Sequence, residues 1–274
     1  MNTATAAAAE GAPTTTKVLT SCEDGVARIV FNQPEKRNAV SLEMWEAVEY
    51  WLDAYAADGS VRVLILSGAG GKAFVSGADI SKFESERASA EGVAHYNATT
   101  KRVYDKVEAF PKPTIAQIDG YCIGGGVALS VCCDIRVCGE NSQFAIPAAK
   151  LGLGYGFAGI NRLVNLVGPG FAKEIFFTAR RFTAEEARIM GLVNRVVAAE
   201  EVGTAAGEVA AMIAANAPLT VNSVKYIVNQ STADESARDL AKCQALVDEC
   251  FASQDYIEGR RAFMEKRKPN FIGG

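Results

Sequence analysis

"TIAQIDGYCIGGGVALSVCCDIRVC", Thr114–Cys138, decides how the rest of the chain is read. Thr114–Ile118 is a short buried strand, Gly124, Gly125 and Gly126 make a glycine-bearing turn, Val127 onward reads as an apolar helix, and Asp134–Cys138 starts another strand. Strand, crossover and strand favour parallel pairing with covered faces, the mark of an α/β architecture. The same logic appears earlier in "VLILSGAGGKAFVSGADISKF", Val63–Phe83. Before it, "KVLTSCEDGVARIVFNQ" reads as a hairpin around Asp24-Gly25 with a slightly longer loop, and Ser41 is placed to cap the helix that begins at Leu42. After "LVNRVV" the strands stop, and from Val202 only helices are read. The expected organisation is a disordered leader over 1–16, an α/β core over 17–201 and a helical region over 202–274.

Composition narrows the chemistry. The 274 residues are 49% hydrophobic and 22% charged, the profile of a globular chain with a large core. No apolar run reaches the roughly 18 residues of a membrane span. A net charge of −4 argues against a general nucleic-acid binder. Seven cysteines in apolar surroundings, with no disulfide-like spacing, suggest a reducing compartment, and a cytoplasmic location is expected. The single histidine, His95, leaves little room for a serine or cysteine nucleophile with a histidine base, or for a zinc site, and no metal is expected. It reads as a surface residue of a helix. Cys132 and Cys133 read as small core residues.

The glycine loops pose a sharper question, because the first side chains after Gly126 are Val127 and Ala128, which offer no acid, base or nucleophile. Helix starts present unpaired backbone N–H groups, and a missing Cβ lets a ligand approach the main chain. Two such turns facing each other make an oxyanion hole, with the amides of Ala78 and Gly125 as donors. Tight turns and close helix packing are the alternative use of the same glycines. Asp79 is placed to cap the segment after it. Neither loop has the spacing of a phosphate-binding or dinucleotide-binding glycine motif.

Four segments carry a resemblance: "NQPEKRNAVS", "KAFVSGADI", "KPTIAQIDGYCIGGGVALSVCCDIRV" and "TARRFTAEEARIMGLVNRVV". They look like the successive signatures of the crotonase, or enoyl-CoA hydratase/isomerase, family, and the likeness runs from about Lys17 to Gly274. The resemblance implies a spiral of ββα units with a helical C-terminal trimerisation region, assembled as a homotrimer or a hexamer of paired trimers. It implies an acyl-CoA thioester substrate whose carbonyl oxygen is held by the amides of Ala78 and Gly125. Coenzyme A is then part of the substrate, and no separate cofactor is expected. Substrate contacts are implied at Arg37, Ala39, Ser76, Gly77, Ala78, Asp79, Ile80, Gly125 and, across a subunit boundary, Lys266.

Two departures from the family pattern matter. Hydratases of the family carry one glutamate just after the glycines and another after the later proline; here those places hold Ala128 and Ala148. The further aspartate of dienoyl-CoA isomerases falls on Gly156. "LGLGYGFAGINRLVNLVGPGFAKEIFFTA" and "QDYIEGRRAFMEKRKPNFIGG" resemble the methylmalonyl-CoA decarboxylase branch, whose active-site tyrosine falls on Tyr155. That branch can carry a histidine where this chain has Ala78. The expectation is therefore decarboxylation of methylmalonyl-CoA or a similar 2-carboxyacyl-CoA, with Ala78, Gly125 and Tyr155 at the chemistry. The alternatives are an enoyl-CoA hydratase or isomerase with a relocated acid, Glu84 and Glu108 being candidates, and an acyl-CoA-binding protein without catalysis.

Overall fold

The computed structural model describes residues 11–82 and 89–274, except the Ile80 side chain. Most of the 1–16 leader thus lies outside the described residues. The chain enters the fold through β1 (Val18–Glu23) and β2 (Val26–Phe31), paired antiparallel. Their turn is only Asp24-Gly25, shorter than the sequence suggested, with φ of 50° and 77°. Two positive φ values give the turn whose twist matches the strands, and aspartate tolerates that region beside glycine. Ser41 does stand at the start of α1 (Leu42–Ala57), but its hydroxyl makes no capping bond and is buried without a partner among the described residues.

Beyond α1 the chain three times lays one strand in each of two sheets before a helix. β3 (Val63–Gly68), β5 (Thr114–Ile118), β7 (Ile135–Gly139) and β10 (Arg195–Val197) complete a six-stranded sheet of order β1-β2-β3-β5-β7-β10, parallel from β2 onward. β4 (Ala73–Val75), β6 (Tyr121–Ile123), β8 (Gln143–Ala145) and β9 (Phe182–Thr183) form a smaller sheet of order β4-β6-β8-β9, parallel except at β9. The intervening helices are α2 (Ala90–Glu108), α3 (Gly125–Ser130), α4 (Ala148–Leu151), α5 (Phe157–Thr178) and α6 (Ala184–Ile189). This is the expected spiral of ββα units.

Strand β3 shows why its sequence is apolar throughout. Leu64 and Leu66 point into the main core with Phe31, Trp45, Phe74, Phe144 and Phe182. Val63 and Ile65 point the other way, onto α7 (Val202–Ala214), where Ala205, Ala206 and Ala210 let the helix approach closely. Both faces are covered, so the alternation of a half-exposed strand is absent.

The remaining helices are α8 (Pro218–Thr232), α9 (Leu240–Ala252) and α10 (Gln254–Glu265). They leave Val224, Val228, Leu240, Phe251, Phe263 and Met264 in solvent, with Phe263 83% and Met264 81% exposed. No helix among the described residues is long and apolar enough to cross a membrane.

Candidate active site

Strands β4 and β6 are parallel neighbours, so the turns that leave them emerge at the same edge of the small sheet. Ser76-Gly77-Ala78-Asp79 follows β4, and Gly124-Gly125-Gly126 follows β6. A Cβ on Gly125 would stand 3.9 Å from the Gly77 Cα, so the two turns face one another at close range. A Cβ on Gly126 would overlap the Val75 carbonyl oxygen, and only glycine allows α3 to start this close to β4.

The main-chain bonds set where the amides point. Val40 donates its N–H to the Gly77 carbonyl at 2.8 Å and accepts from the Asp79 N–H at 2.9 Å. This parallel bridge uses the groups on either side of Ala78 and turns the Ala78 N–H away from Val40. On the second turn, Gly124 donates to the Ala145 carbonyl at 2.7 Å and its own carbonyl accepts from Ala128 at 3.0 Å, leaving Gly125 as the first residue of α3. Among the described residues, neither the Ala78 nor the Gly125 amide has an acceptor. Both amides that the sequence singled out are therefore available to a ligand.

Asp79 anchors the first turn. Its carboxylate is 4% exposed and accepts from the Ser81 N–H and hydroxyl at 3.1 and 2.6 Å, from Lys36 Nζ at 2.9 Å and from Gln33 Nε2 at 3.2 Å. Burial works against the charged form, but the bonds from Ser81, Lys36 and Gln33 outweigh it and hold the group at about 2. Asp79 caps the short 3-10 turn Ile80–Lys82, as read from the sequence, and the Lys36 pair adds a link 43 positions back that the sequence did not reveal. Ala39 donates to the Lys36 carbonyl at 3.1 Å, and the Ser76 hydroxyl donates to the same carbonyl at 3.4 Å, which brings these candidates beside the turn. Arg37, in the left-handed region with φ of 53°, stacks 4.9 Å from the Tyr121 ring, and Arg181 stacks on the same ring at 5.3 Å.

Ala128 and Ala148 occupy the family's acid positions; Ala128 is half-buried and Ala148 is buried. Tyr155 is half-buried against Phe176, with ring centroids 4.9 Å apart, and its hydroxyl has no hydrogen-bond partner among the described residues. Burial raises its pKa. Gly156 is the N-cap residue just before α5 and offers no carboxylate. Of the two acids weighed as relocated groups, Glu84 lies outside the described residues and Glu108 is bound by Arg162 at 2.7 Å, with Asp105 taken by the same guanidinium at 2.6 Å. Lys266 ends α10 in the left-handed region, and no contact joins it to the glycine turns among the described residues. His95 is a surface residue of α2, 3.3 Å from Glu46. Among the described residues, no three His, Cys, Asp or Glu side chains are grouped to hold a metal.

One residue at the site escaped the sequence. Tyr104, on α2, donates its hydroxyl to the Gly125 carbonyl at 3.3 Å, and its ring meets Trp45 edge to face at 5.5 Å. Val103 and Val107 are buried beside it, so within its own segment it reads as one more residue of a core-facing helix.

The family model for enoyl-CoA hydratase/isomerase matches residues 21–274. The chain belongs to that family. It is 36% identical over 255 residues to the crotonyl-CoA hydratase of Syntrophomonas wolfei, covering 93% of this chain and 97% of the relative. It is 37% identical over 251 residues to the short-chain-enoyl-CoA hydratase of Clostridium acetobutylicum, covering 92% and 95%. The crystal structure of an enoyl-CoA hydratase/carnithine racemase from Magnetospirillum magneticum superposes with a TM-score of 0.87 at 35% identity, covering 95% of this chain and 97% of that one. This enoyl-CoA hydratase/isomerase family member is thus a crotonase-fold acyl-CoA enzyme. The relatives carry hydratase names, and the similarity does not single out the decarboxylase branch to which the 151–179 and C-terminal segments pointed.

Proposed function

We propose that this family member polarises a short acyl-CoA thioester between the amides of Ala78 and Gly125, and that its chemistry is of the hydratase or isomerase type with the proton-transferring group moved from positions 128 and 148. One observation carries this: two unpartnered amides on neighbouring turns, each fixed by its own backbone bonds. Preorganised donors of this kind contribute about 2.7–4 kcal/mol each when negative charge develops on the oxygen. The hydratase names of the relatives support the reaction class, and the crotonyl and short-chain substrates in those names support a short acyl group. Arg37, Ala39 and Ser76 to Ile80 line the approach of the CoA portion. The exposed apolar side chains of α8 to α10 support a homotrimer or hexamer, in which Lys266 reaches the CoA phosphates of a neighbouring subunit.

Decarboxylation is the second reading, and Ala128 with Ala148 favours it. Hydration needs one group to activate water and another to deliver the α-proton, whereas loss of CO₂ from a 2-carboxyacyl-CoA forms the same enolate without a base. Tyr155 would then hold the departing carboxylate. Incubation with crotonyl-CoA and methylmalonyl-CoA in parallel separates the two. Loss of the conjugated enoyl absorbance with the first supports hydration; CO₂ from the second without hydration of the first supports decarboxylation. Tight binding of both with turnover of neither would leave a binding protein and overturn the enzymatic proposal.

A further inference from the structure

Hydration and decarboxylation share one step. In both, an enolate held at its oxygen takes a proton at C2, and the proton must come from somewhere within reach of the Gly125 amide. The two positions that supply carboxylates in the family hold methyl groups here, and Asp105 and Glu108 are tied to Arg162. Among the described residues, the one side chain within 4 Å of the Gly125 Cβ position is Tyr104, whose hydroxyl lies 3.3 Å from it. A Cβ stands about 2.5 Å from its own amide nitrogen, which puts the hydroxyl within about 6 Å of the Gly125 nitrogen. C2 of a thioester enolate is two bonds from the oxygen held by that nitrogen, so the carbon in turn lies within about 5 Å of the Gly125 nitrogen.

We infer that Tyr104 is a catalytic residue of this enzyme, the hydroxyl that delivers the proton to C2 of the enolate. The inference rests on the enolate reading above and is independent of how the enolate is formed. The electron pair of the enolate double bond forms the new C–H bond, the Tyr104 O–H bond breaks with its pair left on the phenolate oxygen, and the thioester carbonyl is restored. Water entering as product leaves returns a proton to Tyr104 and releases hydroxide to the solvent; in hydration that hydroxide is neutralised by the proton the attacking water loses, and in decarboxylation it accounts for the one proton taken up from solvent. Three features suit the role. Rotation about the C–O bond swings the proton from the Gly125 carbonyl toward the ligand without moving the ring, which Trp45 holds edge-on. Burial, followed by the neighbouring Tyr155, raises the pKa of Tyr104, so the proton stays in place until the enolate, a much stronger base, draws it. The Arg162 cation acts in the opposite direction and eases the transient phenolate.

The test compares the full-length enzyme with Tyr104→Phe, using crotonyl-CoA and methylmalonyl-CoA in D₂O, with [1-¹³C]propionyl-CoA as a non-reacting probe of the carbonyl. The expected result is a fall in kcat of about 10²-fold or more, an unchanged KM, and a bound carbonyl band shifted to lower frequency as far in the variant as in the wild type. Deuterium enters C2 of the wild-type product on one face, and the residual variant product has it on both. Wild-type kcat with one-faced deuterium in Tyr104→Phe overturns the inference. Loss of the carbonyl shift in the variant alone also overturns it, since Tyr104 would then act only by holding Gly125. An unshifted carbonyl in the wild type removes the oxyanion reading itself, a failure separable from the other two. Turnover of neither substrate by the wild type overturns both.

Discussion

Gly126→Ala is the substitution that most directly probes the geometry behind the chemistry. The new Cβ would overlap the Val75 carbonyl oxygen and stand 3.0 Å from the carbonyl carbon and 3.2 Å from the Val75 Cβ. These are backbone atoms and the root of a β-branched side chain, so no rotamer change relieves the contact. Relief requires α3 and β4 to separate by about 1 Å, at a cost of about 1–3 kcal/mol by analogy with other overpacked interiors. With an m value of about 2 kcal/mol/M, that lowers the urea midpoint by roughly 0.5–1.5 M. The same displacement moves the Gly125 amide relative to the Ala78 amide, and a misplacement of this size costs about 10²-fold in rate. Gly125→Ala is the control. Its Cβ meets only the Tyr104 hydroxyl at 3.3 Å and the Gly77 Cα at 3.9 Å, with no overlap of backbone atoms, so stability should fall by less than in Gly126→Ala while the ligand loses its approach to the main chain. Urea titrations at one protein concentration, followed by turnover assays, read both quantities. A Gly126→Ala protein with the wild-type midpoint and the wild-type carbonyl shift would show that the turns are not pressed together in this way.

Three further outcomes follow from other parts of the molecule. Asp79→Asn leaves Lys36 without its carboxylate and should cost about 1–3 kcal/mol at pH 7. Because the folded-state pKa of Asp79 is held at about 2, below the ordinary value, its stabilisation is complete above about pH 4 and fades as the pH falls toward 2; the gap between wild-type and variant urea midpoints should narrow over that window, and a gap unchanged at pH 2.5 contradicts the assignment. Under the decarboxylation reading, Tyr155→Phe should reduce kcat with methylmalonyl-CoA at least tenfold with KM for the CoA ester unchanged, since the ring contact with Phe176 survives and only the hydroxyl is lost; equal kcat in a steady-state assay removes that role. Phe263→Glu combined with Met264→Glu should convert an assembly of three or six 29.0 kDa chains to single chains in light scattering, and a wild-type protein that already runs as one chain rejects the oligomer.

What could be read from the sequence divides along physical lines. Long apolar runs such as Val63–Gly68 announce strands because burial on both faces demands it. The second sheet was invisible because β4, β6 and β8 span only three residues each, too few for any period to register. The two turns that carry Ala78 and Gly125 were legible because glycine stands out in a sequence, and both turns lie where the glycines placed them. Tyr104 was not, because an aromatic flanked by Val103 and Val107 on a helix looks the same whether it fills the core or reaches a ligand. The Lys36–Asp79 pair spans 43 positions and depends on where Val40 bridges to Ala78, which only the folded chain sets. Ser41 shows the reverse case: the cap position was right and the capping bond was not formed.

The alanines at 128 and 148 acquire meaning from this division. An oxyanion hole made of backbone amides does not depend on which side chains surround it, so the carboxylates can be exchanged without dismantling the electrostatic part of the site. Here Val40 and Ala145 hold the two turns from behind, through bonds that involve neither alanine side chain. Proton transfer is then free to move to any hydroxyl that can reach the carbon. A phenol does so at lower cost than a carboxylate in an apolar pocket, because it is neutral before it reacts and its burial strengthens its hold on the proton. Under the decarboxylation reading, alanine at both positions would also spare an acyl carboxylate the repulsion of neighbouring acids, and the parallel assay with crotonyl-CoA and methylmalonyl-CoA decides whether that matters.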